Sequence, residues 1–469
     1  MKKLLCLLFT TLLLIDLGYT FTQYFQTPLD GDLPSIVIPS DAYQKVLNNP
    51  LGEAVIFHQE IYAATNRFFT HRFMVWYFNN VPIYLQSIVS PIDSAYLSCA
   101  ILKILTQLLL IYLFYAYIKG KRKIDFKDFI LISIISIPFF QTYGYQATIG
   151  IINAPITYFC FYSLIPVLFL VPFTPFFFKI FHENNTNFSL LLKITITSTF
   201  FILSLTSSLV PSISMIVCPL ILFSAWQKLE GTITQKVVKL LKSDYLLLII
   251  LLFFSTFSFY IGTFNSENFG ETIPITERYK RIPKGLFFLF TVKLGLSLLI
   301  LMLFINTQVI KKHLINQEST KILKIIKWIA AIAIIYILLL PLGGYRIYRP
   351  NIVGKDVLTP IIILLIFGYV MTTYHIVNSS FKHKKSYIGT IILISIIYTA
   401  PDFSDYRDYK CERDAFEQIS TSKETTVILE NQCNIMEWEK KTVMGAYNYR
   451  ARLLKKWNIT RDIKEFYQK

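Results

Sequence analysis

The chain is poor in charge. Only 16% of its 469 residues are Asp, Glu, Lys or Arg, against about a quarter in soluble proteins. Acids are the scarcer half, with 29 Asp and Glu against 46 Lys and Arg. Cysteine is sparse: there are six, with no C-x-x-C spacing, so no thiolate metal cluster or dithiol redox motif is encoded. No G-x-x-x-x-G-K-[ST], G-x-S-x-G or H-E-x-x-H occurs. That excludes a phosphate-loop motor, a serine-hydrolase elbow and a zinc-protease helix. Ionisable residues inside the apolar runs are few, chiefly Lys103, Lys193, Lys293 and His375. Ion- and proton-coupled pumps need acids along their path, so this scarcity weighs against transport.

What remains is apolar. Hydrophobic residues make up 54%, gathered in runs long enough for a ~30 Å hydrocarbon core. We expect an all-α polytopic membrane protein with about eleven spans, near 3–21, 94–118, 127–142, 155–180, 190–208, 210–226, 244–264, 286–307, 324–341, 357–377 and 387–400. The third and last are short, and Pro211 is expected to break the run from 190 to 226 into a hairpin. One set of connections is Lys-rich: 119–123, 235–242, 311–324 and 382–385. Positive loops stay in the cytoplasm. The N-terminus is therefore expected inside and the C-terminus outside, as in a multi-pass inner (cytoplasmic) membrane protein of a bacterium with a periplasmic tail. The basic surplus then orients the chain against anionic membrane lipids, and nucleic acid is not an expected partner. Met1-Lys2-Lys3 and the following apolar run lack a small-x-small cleavage site, so the first helix is expected to stay uncleaved.

The body is expected to cover 1–400 and to include a first outer loop, 22–93, too long for a mere connector. Within that loop 40–47 and 57–77 look like interfacial helices. Residues 401–469 form a small α/β periplasmic tail, with helices near 415–420 and 440–457 and a strand at 425–429. Cys411 and Cys433 both fall there, where an oxidising compartment favours a disulfide.

Several outer clusters bear chemistry. Pro28-Leu29-Asp30-Gly31-Asp32-Leu33-Pro34 presents two acids on a stiff turn. Such a pair acts as a general base, or holds a divalent cation such as Mg or Mn, or is simply a solvated turn. His58 and Glu60, with Arg67 and His71-Arg72, are candidate substrate contacts or else the polar face of an interfacial helix. Glu277 to Lys284, with Arg278, and Leu342 to Pro350, with Tyr345, Arg346, Tyr348 and Arg349, are basic and aromatic on the side where basic residues are disfavoured. Arg forks bind phosphate oxygens in pairs and Tyr packs on a sugar or isoprenoid. The other reading is snorkelling to headgroups.

This layout resembles the GT-C superfamily of membrane glycosyltransferases, which use polyprenyl-phosphate sugars. The likeness lies in a first span, a long outer loop with an early acidic motif, a multi-span body, basic outer loops and a periplasmic tail. It implies transfer of a sugar from a polyprenyl-phosphate donor to a lipid-linked or cell-envelope glycan acceptor, by direct inverting displacement. It implies Asp30 or Asp32 as catalytic carboxylate and Arg278, Arg346 or Arg349 on the donor phosphate. The second outer loop, Gln141-Thr142-Tyr143-Gly144-Tyr145, lacks the paired acids of familiar members, which leaves metal dependence open. Two alternatives stand beside it. A polysaccharide polymerase or ligase would lean on the arginines more than the acids. A non-enzymatic flippase or transporter would need a continuous polar path.

Overall fold

A computed structural model describes residues 2–183, 187–291, 294–404, 406–440 and 448–469. Helix α1 (Lys2–Phe25) leads to a segment of short helices, α2 (Leu33–Val37), α3 (Asp41–Asn48) and α4 (Glu53–His58), and then to α5 (Phe68–Leu85). The body follows with α6 (Pro91–Lys119), α7 (Phe126–Ser136), α8 (Gln146–Ile149), α9 (Ile156–Tyr158), α10 (Ile165–Phe181), α11 (Leu190–Ser204), α12 (Leu209–Gln227), α13 (Ile233–Leu241) and α14 (Leu246–Thr263). It ends with α15 (Ile275–Thr291), α16 (Gly295–His313), α17 (Gln317–Leu339), α18 (Lys355–Asn378) and α19 (Lys384–Thr399). The tail holds α20 (Tyr406–Thr421), β1 (Thr426–Leu429), α21 (Tyr449–Lys456) and β2 (Glu465–Gln468), with the two strands parallel.

Among the described residues eight helices are long and apolar enough to cross a membrane: α1, α6, the continuous run Ile156–Phe181, α12, α14, α16, α17 and α18. The other three sequence-expected spans also fall on helices, α7 with 11 residues, α11 with 15 and α19 with 16. At 1.5 Å per residue these are about 16–24 Å long, short of the hydrocarbon core.

Some boundaries differ for local reasons. Pro211 does not break the chain; it sits in the first turn of α12, where its missing N–H costs nothing, and the turn falls at 205–208. The cluster 277–284 is not a loop but the first half of α15, which tolerates Pro283. The expected interfacial helix 57–77 is interrupted: α4 ends at His58 and α5 begins at Phe68. The tail helix expected at 440–457 is seen from Tyr449, its earlier part lying outside the described residues. Lys293 lies outside them too.

Hydrocarbon favours polar groups that find partners within the protein, and several in the body do so. Ser133, Ser136 and Ser204 each donate to the carbonyl one turn back. Asn306 donates to the Thr372 and Thr373 hydroxyls at 3.0 Å and accepts from Tyr387 at 2.8 Å, pinning α16, α18 and α19. Lys103 reaches the Ala154 carbonyl at 2.6 Å. Lys193 pairs with Asp244 at 3.1 Å, and His375 with Ser319 at 3.0 Å.

Lys-rich connections gather at one end. There Lys119 meets Tyr374 and Asp128, Lys321 meets His182, and His313 packs near Phe381. The segment between α1 and α5 docks at the opposite end, on α11 and α14. Tyr62 bridges to Asn265, Thr65 donates to Ile261, and Thr70 donates to Thr206.

The tail packs on this same end. Cys411 and Cys433 form a disulfide with Cα atoms 6.1 Å apart. Trp457 donates to the Phe78 carbonyl at 2.7 Å, and Arg413 pairs with Asp93 at 3.0 Å.

Candidate functional site

The loops before α5, after α14 and after α17, with the ends of α12, α14, α17 and α18, line a cavity of about 370 Å³ at the end opposite the Lys-rich connections. Four arginines line it: Arg67 before α5, Arg278 on α15, and Arg346 and Arg349 in the loop between α17 and α18. The lone carboxylate of the lining, Glu267, is taken by Arg346 at 2.9 Å and by the Tyr348 hydroxyl at 3.3 Å. The other three guanidiniums have no carboxylate partner among the described residues. Arg278 holds the Ile273 and Pro341 carbonyls at 3.0 and 3.1 Å. Arg349 donates to the Tyr162 hydroxyl at 3.2 Å and lies over the Tyr162 and Tyr348 rings. Arg67 lies over the Phe161 ring, and its buried Nε has no hydrogen-bond partner. A buried, unmet guanidinium donor is costly. Guanidinium donors set beside further cations are chemically suited to an anion with several oxygens.

Tyr162 and Phe161 stand on a π-helical turn, Phe159–Leu164, between α9 and α10. The wider turn re-aims side chains, and such turns recur at functional sites. Below the arginines lies a second cavity of about 120 Å³, walled by α6, α10, α12, α17 and α18 and lined by apolar and aromatic side chains. Leu209 belongs to both walls. One stripe of α17 serves both too: Ile325, Trp328, Ile329 and Ile332 below, Tyr336 above.

The two acids of the early turn part ways. Asp30 is buried, and both its oxygens are engaged: Thr157 donates its N–H at 2.9 Å and its hydroxyl at 2.7 Å, and the Asp32 N–H comes within 3.1 Å. It caps the start of α9 from a distance. Burial pushes its carboxyl up to about 6 against those bonds. Asp32 is half-buried; the Trp438 indole N–H donates to its Oδ1 at 3.1 Å, and no described residue donates to Oδ2. Burial raises it, the Trp438 bond opposes, and Glu267 adds to the rise. Tyr43 feels both sites: burial, Asp32 and Glu267 push its hydroxyl up to about 12, with Arg67 opposing. A row of rings joins them as well, Trp438 to Tyr158 at 5.5 Å and Tyr158 to Tyr162 at 5.6 Å. Gly31 is required here, because a Cβ would lie 2.7 Å from the Trp438 backbone N.

Neither Asp30 nor Asp32 lines the arginine cavity, and of the remaining candidates His58, Glu60 and Tyr345 also lie outside its lining. His58 is exposed at the end of α4, and Glu60 pairs with Lys45. Tyr345 is buried and accepts from Arg281 at 3.3 Å, whereas Tyr348 lines the cavity. Among the described residues no group of three or more His, Cys, Asp or Glu could hold a metal.

Compared with known proteins, the chain matches no family model, no curated protein and no solved structure. Function is therefore argued from the geometry. Sequence reasoning had grouped Arg67 with the polar face of a helix; its place in the cavity follows from α5 starting one residue later. His71, one turn on, is buried beside Tyr43 and Phe161, and burial with Arg67 pushes it down to about 3. It is neutral at physiological pH and is not part of the cavity lining.

Proposed function

We propose that the protein is a membrane glycosyltransferase that takes a sugar from a polyprenyl-phosphate donor at the outer face of the membrane and passes it to a lipid-linked or cell-envelope acceptor. One observation carries the reading: three guanidiniums without a carboxylate, one with a buried free Nε, converge above an apolar cavity. A phosphate with a hydrocarbon tail satisfies both halves. In this reading Asp32 takes the proton from an acceptor hydroxyl, the hydroxyl oxygen attacks the anomeric carbon, and the bond from that carbon to the phosphate oxygen breaks. The lipid phosphate leaves with its charge held by Arg67, Arg278 and Arg349. The apolar lining between the two ends of the molecule supports an enzyme over a transporter, since a headgroup has no polar path there.

Asp32→Asn keeps shape and removes the base, so transfer is expected to fall by ~10²-fold or more while the fold persists. Asp30→Asn should act differently. It leaves the Thr157 N–H short of an acceptor and lowers stability by ~1–3 kcal/mol. Transfer assays with purified variants and donor check the first, and thermal denaturation the second. Full activity in Asp32→Asn would remove Asp32 from the mechanism.

The reading also requires eleven crossings, N-terminus in and C-terminus out, with α7, α11 and α19 crossing despite their length. Lys385→Cys should resist a membrane-impermeant thiol reagent in intact cells, and Lys469→Cys should react. The reverse pattern would invert the molecule and put the arginine cavity on the wrong side.

A further inference from the structure

We propose that Trp438, delivered by the tail, forms with Tyr158 an aromatic wall for a sugar ring beside Asp32. The inference rests on the outer site handling a sugar, and it adds a specificity-determining residue to that site. Trp438 is 45% exposed, yet its indole N–H is already used on Asp32 at 3.1 Å. A tryptophan that merely anchors a protein at the membrane interface turns its N–H outward to water and headgroups. Here the N–H goes to a carboxylate and nearly half of the residue's surface stays open.

A sugar ring offers C–H groups on one face and hydroxyls around its rim. The indole suits the face, and the free Oδ2 of Asp32 accepts from the rim. Tyr158 meets the indole at 5.5 Å and 73°, so the two rings form a corner and not a flat patch.

The loop that brings Trp438 is held firmly. Cys433 at its start is bonded to Cys411 on α20. The next residue of that helix, Glu412, accepts from Met436 N in the loop at 3.1 Å, and from Leu29 N at 2.9 Å beside the acidic turn. One carboxylate therefore ties loop to turn. The absence of a Cβ at Gly31 lets the two backbones touch.

The test is binding, and needs no knowledge of the natural donor. Methyl glycosides of a hexose, an N-acetylhexosamine, a 6-deoxyhexose and a pentose are titrated into the purified full-length protein, with saturation-transfer NMR as readout. At least one should bind. Trp438→Ala should weaken it about tenfold, and Trp438→Phe, which keeps a ring, should stay within about threefold. Trp76→Phe, altering an indole that is 58% exposed and remote in sequence, should change nothing. Binding of a prenyl phosphate is measured on the same samples. Its persistence in Trp438→Ala shows that the variant is folded, and its absence from the wild type counts against the donor reading alone. Equal glycoside affinity in wild type and Trp438→Ala, or no glycoside bound by the wild type, would overturn the aromatic wall.

Discussion

Replacing Arg67 and Arg349 together by Gln is expected to weaken binding of a prenyl phosphate by about a hundredfold or more, with little loss of stability. Each contributes a charge-assisted hydrogen bond to a phosphate oxygen, worth ~1.5–3 kcal/mol. Neither has a carboxylate partner to leave behind. Arg67 has no hydrogen-bond partner for its buried Nε, and Arg349 donates only to the Tyr162 hydroxyl. Relief of repulsion between neighbouring guanidiniums should keep the ligand-free melting temperature level or raise it. Arg346→Gln should show the opposite balance, since it strands Glu267 and removes a bond made within the protein. Arg67→Lys keeps charge but loses the fork, and should recover only part of the affinity. Thermal denaturation with and without the lipid phosphate separates these outcomes. A double variant that is strongly destabilised without ligand would mean that the arginines are structural.

The second large effect lies at Glu412, the junction of tail and body. Its carboxylate is fully buried and accepts from Leu29 N, Met436 N and the Tyr96 hydroxyl. Burial nevertheless raises it to about 7 from an ordinary value of 4.5. The docked tail therefore binds a proton more tightly than a released one. The stabilisation from that proton is full below about pH 4.5 and is lost as pH rises through about 7, on the order of 3 kcal/mol across the window. Tail docking, followed by hydrogen exchange over α20 and the turn at 28–34, should weaken from pH 5 to pH 8. Glu412→Gln cannot titrate and should flatten that profile. Glu412→Ala should expose the tail at every pH, because it leaves two backbone N–H groups and a hydroxyl without their acceptor. An unchanged pH profile in Glu412→Gln would mean that another group governs docking.

The sequence was most legible where physics is periodic or forbidding. Long apolar runs and alternating Lys-rich loops located the helices, and all eleven expected spans fall on helical segments, eight of them long enough to cross. Two cysteines in one polar tail announced their bond. The arginine cavity was half legible: basic residues among aromatics at 278 and 346–349 marked two of its walls. Arg67 was not, because His58, Glu60 and Arg67 look like one amphipathic stretch, while a left-handed turn at Gln59 and Ala64 breaks it. The roles within Asp30-Gly31-Asp32 were illegible for a different reason. Two acids on one turn look alike until Thr157 and Trp438, far along the chain, each claim one of them. Trp438 gave no local signal, since its meaning depends on a contact across more than four hundred residues.

The measurement that bears most directly on the account is an experimental map of the full-length protein prepared with a prenyl phosphate in a lipid bilayer. The account predicts a phosphate within hydrogen-bond reach of Arg67 and Arg349, with its chain descending past Leu209 into the apolar cavity. A phosphate bound elsewhere, or an arginine cavity holding water alone at saturating lipid phosphate, would contradict it.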